Sequence, residues 1–115
     1  MPDITELSAT GLSAAIHARR ITCRAAMRAF LDRIGRVNPA IGAIVSLRDA
    51  DALMAEAEAA DRALDGGLSR GFLHGVPFAI KDLSEARGIR CTYGSPLYRD
   101  FVPDFDDIHV ERIRA

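Results

Sequence analysis

Between Thr22 and Val37 the apolar side chains Met27, Phe30, Leu31 and Ile34 recur at i, i+3, i+4 and i+7, the spacing that lines one face of an α-helix. Thr22 stands ahead of this stripe as a capping residue, which predicts a helix from about Cys23 to Val37. Asn38-Pro39 is expected to stop it, because proline brings no N–H to the next turn. Ser8 is placed to cap a shorter helix from about Ala9 to Arg20. A third helical pattern runs from Asp49 to Asp65, with Leu53, Ala57, Ala60 and Leu64 on one side and Gly66-Gly67 to close it. Asp51, Glu58, Asp61 and Arg62 lie elsewhere on that helix and read as a solvated face.

Two segments have strand character instead: Ile41 to Leu47, rich in β-branched residues, and Val76-Pro77-Phe78-Ala79-Ile80. A turn around Arg87-Gly88 and a short extended piece from Ile89 to Thr92 follow, and Tyr93-Gly94-Ser95-Pro96 breaks the latter. Asp106 or Asp107 opens a last helix whose apolar positions are Ile108, Val110 and Ile113. That helix reaches Ala115 without Gly, Asn or Pro to end it, and a helix so short does not hold together alone. The chain is therefore read as the amino-terminal piece of something longer.

Composition limits what such a piece can be. At 115 residues there is room for one domain at most. Hydrophobic content is 49%, but 19 of those residues are alanine and none is tryptophan, so the core is expected to be thin. A marginal fold follows, open to homo-oligomer formation through unpaired strands. Fifteen Lys+Arg against sixteen Asp+Glu give a net charge of −1, which provides no electrostatic footprint for nucleic acid or an acidic membrane. The opening Met1-Pro2-Asp3-Ile4-Thr5-Glu6 lacks the cationic start and apolar run of a signal peptide, and a cytoplasmic location is expected. Cys23 and Cys91 have neither metal-ligand nor redox spacing and read as structural thiols, so no metal and no cofactor is expected.

The stretch "GFLHGVPFAIKD" raises the chemical question, because an apolar run delivers Lys81 with Asp82 directly behind it. On pattern alone a lysine at a strand end snorkels into solvent while the aspartate caps the next turn. A lysine that instead serves as a base near neutral pH must be shielded from water, at a cost of about 4 kcal/mol against its reference state. Successive strand residues point to opposite faces, so Asp82 is not expected to pair with Lys81 and hold it charged.

The segment "LHGVPFAIKD" resembles the amidase signature family, in which a similar Leu-His-Gly-Val/Ile-Pro-strand-Lys-Asp stretch supplies the lysine of a Ser/cis-Ser/Lys triad. "NPAIGAIVSL" and the acidic alanine helix upstream, with "GIRCTYGSP" and "DDIHVERIRA" downstream, extend the likeness over nearly the whole chain. The resemblance implies an α/β fold, here the N-terminal part of a single amidase-type domain with helices packed on a few strands of a mixed sheet. It implies hydrolysis of a carboxylic amide to acid plus ammonia or amine through an acyl-enzyme, a small-molecule amide as substrate, and Lys81 as the catalytic lysine.

The sequence departs from the family pattern where the rest of the triad is concerned. None of Ser8, Ser13, Ser46, Ser69, Ser84 and Ser95 matches a triad serine, and no Gly-Gly-Ser-Ser-Gly-Gly type loop is present. The isolated chain is accordingly expected to be inactive. Phe72 stands where proline is usual and Leu83 where a polar residue is common. Two alternatives remain at this level: a glutamine amidohydrolase like the A subunit of a tRNA-dependent amidotransferase, and a non-catalytic interaction module using exposed sheet edges. Of the other polar candidates, His74 reads as a structural hydrogen-bonder, His17 and His109 as surface residues, Ser95 as turn support, and Tyr93 and Tyr98 as packing residues.

Overall fold

The computed structural model describes residues 2–115. Its elements are helices α1 (Ala9–His17), α2 (Cys23–Ile41), α3 (Ala50–Asp65) and α4 (Ile108–Arg114), with single 3-10 turns at Ile4–Glu6 and Pro96–Tyr98. The expected α/β class with a mixed sheet is overturned: the described residues form no β-strand, and their sole ladder-type contact is an isolated antiparallel bridge between Ala86 and Ile89.

The reason lies in where the extended segments send their backbone groups. A strand exists only when a neighbour takes its N–H and C=O groups in series. Here the Arg90 guanidinium donates to the Val45 carbonyl (3.1 Å) and to Ser46 Oγ (3.2 Å), and the run from Ile41 to Leu47 is not a strand. Gly88 N–H and Cys91 N–H donate singly to the Pro103 and Phe101 carbonyls, each at 3.0 Å. Val76–Ile80 forms no ladder, and the Val76 N–H turns back to the Leu73 carbonyl at 3.0 Å.

The described chain divides into two compact units, one built from residues up to Ala43 together with Asp49–Pro77, the other from Ile44–Arg48 and Phe78–Ala115. In the first, α2 packs against α3 and the N-terminal 3-10 turn. Its buried centre consists of Leu12, Ala15 and Ile16 of α1, Ile21, Cys23 and Ala26 around the start of α2, and Ala57 of α3. Small side chains dominate, so backbones approach closely. A Cβ at Gly75 would lie 2.2 Å from Cys23 Sγ, and Gly75 also has a left-handed φ of 74°.

Local capping follows the sequence closely. Ser8, Thr22 and Asp49 accept from the N–H groups of Gly11, Ala25 and Ala52, three residues on in each case. Helix α3 ends at Gly66-Gly67 as expected, with Gly67 left-handed at φ 80°. Helix α2, however, runs through Pro39 to Ile41 and ends on left-handed Gly42, whose N–H donates to the Asn38 carbonyl at 2.7 Å. Proline there forfeits one bond, to the carbonyl of exposed Gly35, which water can satisfy.

The N-terminus of α2 also has a partner from far along the chain. Asp61 of α3 accepts from Cys23 N–H (2.7 Å) and Arg24 N–H (3.0 Å). With Thr22, this satisfies three of the orphan donors that open a helix and sets a negative charge against its positive end. The solvated-face reading of Asp61 is thereby corrected. Partial burial works against its charged form, but the Arg24 and Cys23 N–H groups prevail and hold the carboxyl below the usual range. Burial first, then the hydrogen bond to Asp61 and its charge, push the Cys23 thiol up to about 12.

Two outcomes follow. Gly75→Ala is expected to destabilise the chain by about 2–5 kcal/mol through the clash with Cys23 and the left-handed backbone. Gly35→Ala, with open space around its Cβ, is expected to stabilise it by about 0.5–1 kcal/mol. Urea denaturation of both variants checks the contrast. The folded Cys23 thiol keeps its proton to higher pH than the unfolded one, so its contribution is intact below pH 9.0 and lost as pH rises towards about 12. The alkaline fall in urea midpoint should be steeper in the native sequence than in Cys23→Ala; equal slopes would contradict this.

Candidate active site

Lys81 lies in the second unit, at the end of the extended segment that begins at Val76 in the first. Its side chain is exposed, as are Phe78 and Ala79 before it, so the described residues do not supply the shielding expected of a buried strand end. The Lys81 carbonyl accepts from Ser84 N–H at 2.9 Å, which closes a tight turn immediately after it.

Asp82, the first turn residue after Lys81, is engaged by Thr92 and not by Lys81. One carboxylate oxygen accepts from Thr92 N–H (2.7 Å) and the other from the Thr92 hydroxyl. The Thr92 hydroxyl first, then its N–H, hold the Asp82 carboxyl below its usual range. No ion pair forms at Lys81 among the described residues.

Around this pair the second unit is tied together by side chains acting on backbone. Tyr93 Oη donates to the Glu85 carboxylate, while the Glu85 N–H donates to Asp107 Oδ2 (2.7 Å) and Asp107 N–H returns a bond to the Glu85 carbonyl (2.8 Å). Arg87 N–H donates to Asp106 Oδ1 at 2.7 Å. Asp107 occupies the cap position of α4 and its carbonyl accepts from Glu111 N–H (2.9 Å), but its side chain makes no cap bond, so both candidate cap side chains serve the 85–87 segment instead. Tyr93 adopts φ 52°, held by its hydroxyl bond and by ring contacts with Tyr98 and Phe101. Ser95 supports its turn as expected, accepting from Leu97 N–H.

The histidines divide as the sequence suggested for His74 and His17. His74 is buried; its Nδ1 accepts from Arg70 N–H (3.0 Å), which leaves Nε2–H to donate to the Ala60 carbonyl (2.9 Å). His17 is an exposed residue at the end of α1, bonded to the Ser13 carbonyl and the Ser69 hydroxyl. A shallow groove of about 360 Å³ in the second unit is lined by Ser46, Arg48, Ile89, Arg90 and Val102, among others, and does not include Lys81.

The family profile for amidases matches residues 25–115, a span that includes Lys81, Asp82 and Thr92. The chain belongs to the amidase family. It is 39% identical over 114 residues to the A subunit of glutamyl-tRNA(Gln) amidotransferase from Acidothermus cellulolyticus, covering 99% of this chain and 22% of that protein. Identity to the Bdellovibrio bacteriovorus protein of the same name is 36% over 112 residues, covering 97% of this chain and 22% of the relative. An acylamidase of Rhodococcus erythropolis is 33% identical over 109 residues, covering 95% of this chain and 23% of its own length. This amidase chain thus spans less than a quarter of the length of these relatives. No helix among its described residues is long and apolar enough to cross a membrane.

Sequence reasoning singled out Lys81 and foresaw that Asp82 would not pair with it. It missed Thr92 as the partner of Asp82, and Asp61 as a cap. The only local signal was the presence of two donors, N–H and hydroxyl, on one residue of a predicted extended piece.

Proposed function

We propose that this chain is the incomplete N-terminal portion of a single amidase-type domain in a cytoplasmic hydrolase, and that it contributes Lys81 as the base of a Ser/cis-Ser/Lys relay. The substrate is a linear carboxylic amide, cleaved to acid plus ammonia or amine. The observation that carries this reading is the amidase match over the span that holds Lys81, whose neighbouring carboxylate is committed to Thr92 and not to the lysine. The shielding that a lysine base needs is assigned in this reading to the proposed remainder of the domain.

In the relay, the neutral amine of Lys81 accepts the proton of one serine while that serine takes the proton of the attacking serine. The attacking oxygen then bonds to the amide carbon, and the proton is returned to the departing nitrogen. Water releases the acid from the acyl-enzyme by the same relay. Both serines and the donors for the oxyanion belong to the proposed remainder of the domain, so the 115-residue chain alone hydrolyses no amide.

A second reading changes the substrate and adds a partner. Relatives at 36–39% identity are named as the A subunit of glutamyl-tRNA(Gln) amidotransferase, which favours glutamine as the amide and a protein complex as the setting.

Ammonia release from glutamine and from simple aliphatic and aromatic primary amides by the full-length protein tests both. Lys81→Ala should lower kcat on the order of 10⁴-fold; unchanged turnover removes Lys81 from the mechanism. A strong preference for glutamine together with ammonia transfer to a charged tRNA in the presence of a partner supports the second reading, and broad amide hydrolysis without a partner the first.

A further inference from the structure

The turn that carries Lys81 is fastened on one side only. The Lys81 carbonyl is engaged by Ser84 N–H (2.9 Å), and the next side chain, Asp82, is held through both oxygens by Thr92. Thr92 is itself fixed, since its hydroxyl oxygen accepts from Gly94 N–H (3.2 Å) and its carbonyl from Ser95 N–H (2.9 Å). Three residues further on, the Glu85 carboxylate accepts from Tyr93 Oη. Two adjacent cross-links, 82 to 92 and 85 to 93, therefore bind the 81–84 turn to the 92–95 turn. The latter is a stiff anchor, with Tyr93 and Gly94 both left-handed at φ 52° and 70°.

We infer that Asp82 is a positioning residue for Lys81, acting through Thr92 to fix the backbone from which the lysine amine extends. This rests on the reading of Lys81 as the base. The bonds to Thr92 hold Asp82 at the start of the turn, and the Ser84 N–H holds the Lys81 carbonyl, so the backbone on the C-terminal side of Lys81 is fixed at two points. Aspartate suits the task better than asparagine, because a carboxylate offers an acceptor to each of the two Thr92 donors whereas an amide offers one. The depressed carboxyl of Asp82 keeps both acceptors available across the neutral range.

The test uses the full-length protein, with ammonia release giving kcat and KM, and thermal unfolding measured in parallel. Asp82→Ala, which removes both bonds, should lower kcat on the order of 10²-fold with KM unchanged, the penalty for a misplaced catalytic group, and Thr92→Val, which loses the hydroxyl bond and keeps the N–H one, should give a smaller loss of the same kind. Thr92→Ser, which keeps both donors, should retain native kcat, and Asp82→Asn should give an intermediate loss. The double variant Asp82→Ala/Thr92→Val should lose no more than Asp82→Ala alone, because the two residues act as one unit. If Asp82→Ala does not fold, Asp82→Asn and the Thr92 pair carry the comparison. Native kcat in the folded Asp82 variants, or losses that multiply in the double variant, overturn the inference alone if Lys81→Ala is inactive. Unchanged turnover in Lys81→Ala overturns the inference and the underlying function together.

Discussion

The structure depends on one constraint: backbone N–H groups that no helix or ladder satisfies must find an acceptor, and at several places in this chain an aspartate carboxylate provides it. Asp61 takes two donors at the start of α2, Asp82 one at Thr92, Asp107 one at Glu85 and Asp106 one at Arg87. A hydrogen bond to an ionised acceptor contributes roughly twice what a neutral one does, and an unmade buried bond costs about 1–3 kcal/mol. By comparison, the exposed pairs Arg24–Glu58 and Arg33–Glu6 are screened by solvent and contribute little.

The two units use this device differently. In the first, Asp61 joins α3 to α2 beside a dry centre of alanines, Cys23 and Ile16, and Gly75 lets the chain pass directly over the cysteine sulfur. Apolar burial and capping reinforce each other there. In the second, few apolar residues are buried, chiefly Ala86, Cys91 and Val110, while Leu97, Phe105 and Ile108 stand exposed. Side chains on backbone replace both a sheet and a core, and Lys81 belongs to this polar lattice.

That placement shapes the chemistry the amidase segment can contribute. Lys81 is the member of the lattice whose side chain is not spent on it, whereas Asp82, Glu85, Asp106 and Asp107 are all committed to backbone or tyrosine donors. Under the proposed function, an amine presented from a fastened turn would need little rearrangement to meet reacting groups, which is the advantage of a preorganised site.

The helices were legible from local pattern. Ser8, Thr22, Asp49 and Gly66 bound three of them because capping and i, i+4 contacts involve residues within a turn of one another. The family was legible at the Lys81-Asp82 segment for the same reason, because that pattern is a contiguous string. Only the tertiary structure decided that Ile41–Leu47 and Val76–Ile80 would form no strand, that Pro39 would be tolerated inside α2, that Asp61 would cap a helix 38 residues away, and that Thr92 would claim Asp82. Strands and distant caps are completed by partners far along the chain, and which partner arrives is set by how the whole chain closes on itself, not by the residues on either side.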